Sequence, residues 1–119
     1  MLFRSFYHFA WPSANDVGEE VDTFVSAIQP YFDRRPFLYL DWEDSDAYYD
    51  YSWARRFLDA VHERTGIKPF IYMPASVVES GAWEGVSNDY WLWAAGYPST
   101  APQTPATPDC PYAPFSHGW

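Results

Sequence analysis

Cysteine is almost missing from this chain of 119 residues: Cys110 stands alone. No disulfide can form within the chain, so the fold must hold without a covalent staple, and a reducing compartment is expected. Positive charge is also scarce. Seven Lys and Arg face sixteen Asp and Glu, a formal net charge of −9 with a pI near 4.4. That balance excludes the basic stripe that a nucleic acid or an anionic membrane surface would require. No run approaches the ~20 apolar residues of a membrane span. Residues 1–10 lack a clean apolar centre because Arg4 and His8 interrupt it, and they read as structure, not as a signal peptide. Several chemistries lack their parts. There is no phosphate-cradling glycine loop and no Gly-x-Ser-x-Gly, and Gly66 stands where a zinc-protease helix beginning His62-Glu63 would need its second histidine.

Aromatic residues, by contrast, make up 22% of the chain, and hydrophobic residues 48%. One globular domain with a packed core is expected at this length. Core packing should take about three rings in four. Residues 3–9 read as a buried strand. A helix follows, capped by Ser13 or Asn15, with Val17, Val21, Phe24 and Ile28 along one face and Pro30 ending it. Glu19, Glu20 and Asp22 lie off that stripe and read as its solvated face. Residues 37–43 form a nearly continuous apolar run, the mark of a strand buried on both faces. Ser52 is expected to cap a second helix, with Trp53, Phe57, Leu58 and Val61 inward and Thr65-Gly66 at its end. Residues 70–73 and 90–95 complete four strands, with a short helix over 75–80. Six of the eleven prolines lie between Pro98 and Pro114, so residues 99–119 read as an irregular tail. The alternation of strand and helix predicts an α/β fold with about four parallel strands.

The sharpest chemical feature is Leu40-Asp41-Trp42-Glu43-Asp44-Ser45-Asp46, four carboxylates within six residues at the end of a buried strand. In parallel α/β folds, sites are built at that end of the strands. If the strand persists, Asp41 and Glu43 share a face with Cα atoms roughly 6.5 Å apart. Two such carboxyls raise one another's pKa, which would keep Glu43 protonated as a general acid. Spacing alone leaves a solvated acidic loop equally open. A calcium loop fails, because Asp46 and Ser52 stand where glycine and glutamate would be needed. His8, in an apolar strand, reads as a hydrogen-bonded structural histidine, and Cys110 as inert.

In order along the chain, Tyr7-His8-Phe9-Ala10, Asn15-Asp16 with Glu20 and Phe24, Leu40-Asp41-Trp42-Glu43, Thr65-Gly66-Ile67-Lys68-Pro69 before Ile71-Tyr72, and Leu92-Trp93-Ala94-Ala95-Gly96-Tyr97 resemble the glycoside hydrolase family 25 lysozymes. The resemblance implies an N-acetylmuramidase, of the type found in phage endolysins and bacterial autolysins, on a flattened, TIM-like (β/α) barrel. It would cut the β-1,4 bond from N-acetylmuramic acid to N-acetylglucosamine in bacterial peptidoglycan. Glu43 matches the catalytic acid and Asp41 its partner, which assists the substrate's own acetamido group. Tyr7, Tyr72, Trp93 and Tyr97 match sugar-facing aromatic positions. No cofactor and no metal are implied.

The family pattern also has an aspartate-bearing strand before the position of Met1 and a Trp-Gln-Tyr strand with a further aspartate beyond Trp119. Residues 1–98 are therefore expected to be an incomplete catalytic domain, with 99–119 leading to a missing strand. A partner chain or further segments should cover the sheet edges, and the chain by itself is expected to be inactive. It would be made in the cytoplasm and act at the bacterial wall after release or export. Two other classes remain open, a peptidoglycan-binding protein without turnover and a small α/β interaction protein.

Overall fold

The computed structural model describes residues 5–95. Strands β1 (Ser5–Phe9), β2 (Phe37–Asp41), β3 (Phe70–Pro74) and β4 (Leu92–Ala95) alternate with helices α1 (Val17–Ile28), α2 (Tyr51–Thr65), α3 (Ala75–Ser80) and α4 (Glu84–Ser87). Short 3-10 helices cover Gln29–Arg34 and Ser45–Ala47. The strands form one parallel sheet in the order β1-β2-β3-β4. Each crossover steps to the next strand in the same direction, so right-handed connections place all the helices on one face. Four parallel strands with intervening helices are the α/β fold that the strand and helix pattern predicts, and the single direction of winding is compatible with the barrel that the family resemblance implies.

The helix ends follow local hydrogen-bonding chemistry, at positions shifted from those expected. Asp16, not Ser13 or Asn15, caps α1, its side chain accepting from Gly18 N at 2.9 Å. Asp50, not Ser52, caps α2, accepting from Trp53 N at 3.1 Å. A carboxylate there also meets the positive end of the helix dipole. Helix α1 ends at Ile28, two residues before Pro30 as expected, and Pro30 itself sits in the first turn of the following 3-10 helix, where its missing N–H costs nothing. Gly66 ends α2 at φ 72°, its N–H donating to His62 O at 2.9 Å.

The expectation of strands buried on both faces is overturned. Along β2, Leu38 and Leu40 are buried while Phe37 is exposed and Tyr39 and Asp41 half-buried, and β1 alternates between exposed and half-buried positions throughout. Among the described residues only the helix-covered face is sealed. There Leu38, Leu40, Trp42, Ile71, Met73 and Leu92 meet Val21, Phe24 and Ile28 of α1 and Phe57, Leu58 and Val61 of α2. Trp42 and Trp83 are fully buried and meet edge-to-face at 6.1 Å, and Trp53 stacks on Phe57 at 5.6 Å. Buried indoles need a partner for their N–H. Trp42 Nε1 donates to Tyr48 O at 2.8 Å, Trp83 Nε1 to Val77 O at 3.0 Å and Trp53 Nε1 to Asn15 O at 3.2 Å. The opposite face carries Tyr7, Phe9, Tyr39, Phe70, Tyr72 and Trp93, set there by the two-residue period of the strands.

Candidate active site

Strand β2 ends at Asp41, but its alternation carries on for two more residues. Trp42 turns into the core and donates its backbone N–H to Tyr72 O at 2.7 Å. Asp41 and Glu43 therefore both turn to the open face, as their spacing predicts. The Asp41 carbonyl accepts from Ala10 N at 3.0 Å, so the backbone between the two carboxylates is tied to both neighbouring strands. A core indole is the anchor for the acid pair.

The pair lies in a cleft of about 380 Å³ lined by Ser5, Tyr7, Tyr39, Asp41, Glu43, Tyr72 and Trp93. Of the residues expected from sequence, Asp41, Glu43, Tyr7, Tyr72 and Trp93 are brought together. Tyr97 lies outside the described residues. Tyr39 and Ser5 were missed, although the signal was available: they stand two residues before Asp41 and Tyr7, on the same strand face. Tyr39 lies against Trp93 at 5.1 Å and edge-on to Phe70 at 5.4 Å, and Trp93 meets Tyr72 edge-on at 5.7 Å. Burial raises the Tyr39 hydroxyl pKa, keeping it a neutral donor. Tyr7 and Trp93 are 71% and 51% exposed, so their ring faces are open to a ligand.

The Asp41 carboxyl is pushed up to about 7, first by burial and then by the hydrogen bond and charge of Glu43. The expectation had assigned the functional consequence of mutual repulsion to Glu43. Asp41 carries a raised pKa because it is partly withdrawn from solvent as well as facing a second acid. Two carboxyls can hydrogen-bond only by sharing a proton, and such a pair titrates as a unit. Asp41 Oδ1 is buried with no hydrogen-bond partner among the described residues. A buried acceptor left empty costs free energy, and a ligand N–H would relieve it.

Two further carboxylates tie down the turn after β1. Asp44 Oδ2 accepts from Ser13 N at 3.0 Å and Ser13 Oγ at 2.6 Å, and its Oδ1 from Asp46 N at 3.1 Å. Burial works against the Asp44 charge, but these bonds outweigh it and hold its pKa below the ordinary value. They tie the turn after β1 to the turn that carries Glu43. Glu20, expected on the solvated face, is instead buried. It accepts from Trp11 N with both oxygens, at 3.2 and 3.1 Å, and meets His8 Nε2 at 2.6 Å. His8 is the structural histidine expected, its ring between Phe24 and Phe57 at 5.4 and 5.1 Å. Among the described residues no three His, Cys, Asp or Glu side chains are grouped to hold a metal ion, and no helix is long and apolar enough to cross a membrane.

A paired carboxylate site among sugar-sized aromatic rings, at the C-terminal end of a parallel sheet, has the parts for acid-catalysed cleavage of a glycosidic bond. Comparison with known proteins points the same way: the family model described as Glycosyl hydrolases family 25 matches residues 1–119. No curated protein and no solved structure matches the chain.

Proposed function

The chain belongs to glycosyl hydrolases family 25, and from that premise we propose that it is a lysozyme-type hydrolase of bacterial peptidoglycan. It would cleave the β-1,4 bond between N-acetylmuramic acid and N-acetylglucosamine, meeting the polymer at the wall after release or export. The observation that carries this reading is the Asp41/Glu43 pair on the floor of an aromatic cleft. Aromatic faces stack on the apolar faces of pyranose rings. Tyr7, Tyr72 and Trp93 supply such faces beside the acids, and Tyr97 is assigned the same role by the family resemblance.

In the proposed reaction Glu43 is the general acid and Asp41 positions the 2-acetamido group. The acetamido N–H donates to Asp41 Oδ1, which lacks a partner among the described residues. The acetamido carbonyl oxygen then bonds to the anomeric carbon as the bond to the leaving oxygen breaks, and that oxygen takes the Glu43 proton. Water next attacks the anomeric carbon and gives its proton to Glu43, which restores the acid and releases the acetamido oxygen. Positive charge that develops on the acetamido group lies beside Asp41, where a carboxylate stabilises it. The separation of the carboxyls does not set the stereochemistry in this scheme, because the nucleophile belongs to the substrate.

The test is release of reducing ends from purified peptidoglycan. Glu43→Gln should lower the rate at least about a hundredfold, the lower range of general acid catalysis. Asp41→Asn should lower it strongly. Undiminished hydrolysis by Glu43→Gln contradicts the assignment. Binding of peptidoglycan by the wild-type chain without any hydrolysis would favour a wall-binding role, and neither binding nor hydrolysis would leave only the interaction-protein reading.

A further inference from the structure

Glu43 stands where the sheet lets go of the chain. Up to Trp42 the backbone is fixed, because the Asp41 carbonyl accepts from Ala10 N and Trp42 N donates to Tyr72 O. Glu43 itself belongs to no strand and no helix, and the 3-10 helix that follows begins only at Ser45. A side chain in such a place swings unless the backbone beyond it is held. The next residue supplies the hold. Asp44 Oδ2 accepts from both the N–H and the hydroxyl of Ser13, at 3.0 and 2.6 Å, while its Oδ1 caps the 3-10 helix through Asp46 N. Neither Asp44 nor Ser13 lines the cleft, and the reaction written above uses neither.

Ser13 is a firm anchor although it lies in a turn. Ala14 N and Asn15 N both donate to Trp11 O at 3.0 Å, so the turn is bonded to itself. Trp11 N donates to both oxygens of the buried Glu20 on α1, and Trp53 Nε1 on α2 donates to Asn15 O at 3.2 Å. The turn is therefore pinned to both long helices. Hydrogen bonds to an ionised carboxylate are about twice as strong as those between neutral groups. Asp44 keeps its charge because its bonds outweigh burial and hold its pKa below the ordinary value.

We propose that Asp44 is a positioning residue for the reaction: clamped on Ser13, it holds the Glu43 backbone so that the Glu43 carboxyl stays against Asp41 and faces the cleft. The inference rests on the assignment of Glu43 as the general acid. Two carboxyls share a proton only while their oxygens remain within hydrogen-bond reach, and the same placement aims the acid at the leaving oxygen. A misplacement of about 1 Å in such a group costs about a hundredfold in rate. Trp42 fixes the chain on one side of Glu43 and Asp44 fixes it on the other. Asp44 acts through the backbone and touches no sugar.

The experiment follows the Asp41 carboxyl by carbon-13 NMR over about pH 4–9 in the full chain and in three variants. Asp44→Ala removes the clamp and a charge, Asp44→Asn removes the charge but leaves an acceptor for Ser13, and Ser13→Ala leaves the charge but removes one donor. The other titratable groups lining the cleft are Tyr7, Tyr39 and Tyr72, and phenols ionise only near pH 10. From about 7 in the wild type, the Asp41 midpoint should fall by about one pH unit in Asp44→Ala and by less than about half of that in Asp44→Asn. It should fall in Ser13→Ala too, although no charge is lost there. Where peptidoglycan hydrolysis is followed, kcat should drop about a hundredfold in Asp44→Ala and about tenfold in Ser13→Ala with KM unchanged, and Asp44→Asn should stay nearer the wild type. Asp44→Ala that titrates as Asp44→Asn does, or Ser13→Ala with the wild-type midpoint, overturns the proposal. Ser13→Ala deletes a single exposed hydroxyl, so the test holds even where Asp44→Ala fails to fold. The titration needs no turnover: absent hydrolysis counts against the proposed function, and an Asp41 midpoint indifferent to Ser13 and Asp44 counts against the clamp.

Discussion

At the scale of single residues, the Asp41 carboxyl connects catalysis with stability. Its folded-state pKa of about 7 lies well above its ordinary value of 3.8. The folded chain therefore holds this proton more tightly than the unfolded chain does. The resulting stabilisation is complete below about pH 4 and is lost as pH rises through about 7, above which an ionised Asp41 is carried at a cost. Asp41→Asn removes that titration. After allowance for solvent screening at an open cleft, the variant should gain about 1–2 kcal/mol over the wild type above pH 7 and nothing below pH 4. Urea denaturation across pH 4–8 measures this, and a difference independent of pH would contradict it. The pair of acids was legible in the sequence because period-two spacing needs only a strand. Which of the two would be pushed upward was not legible, because it depends on burial, and burial depends on neighbours far along the chain.

At the scale of elements, the carboxylates that hold the turns show where local reading reaches its limit. Helix α1 was legible from its apolar stripe, yet Glu20 could not be placed, because its partners His8 and Trp11 belong to β1 and the turn after it. Glu20→Ala leaves the part-buried His8 ring and the Trp11 N–H without this buried acceptor. It should cost about 3 kcal/mol in denaturant unfolding, and a loss under about 0.5 kcal/mol would mean the network is dispensable. Gly66 is the opposite case, legible at once as a helix end. Its φ of 72° is open to glycine, and a Cβ added there would meet nothing within 4 Å. Gly66→Ala should therefore cost about 1 kcal/mol through the backbone alone, read as a shift in denaturation midpoint with unchanged slope.

At the scale of the whole molecule, the order of strands and helices was readable while the burial of the sheet was not. A continuous apolar run such as 37–40 reads as a strand sealed on both sides. Here half of that apolar surface is aromatic and faces outward. Composition cannot separate a ring that packs from one that waits for a ligand. Trp42, Trp53 and Trp83 sit in the core, whereas Tyr7, Trp91 and Trp93 lie on the open face. The singly wound sheet brings together β1, β2, β3 and β4 so that residues from Ser5 to Trp93 share one cleft. The chemistry assigned to that cleft rests on one proton held between two acids. The most direct measurement is the pH profile of peptidoglycan hydrolysis by the wild-type chain and by Glu43→Gln. Wild-type activity should fall as pH rises through about 7, where the pair loses its shared proton, and Glu43→Gln should show no activity above background at any pH. Hydrolysis by Glu43→Gln with the wild-type rate and the same descending limb would contradict the account.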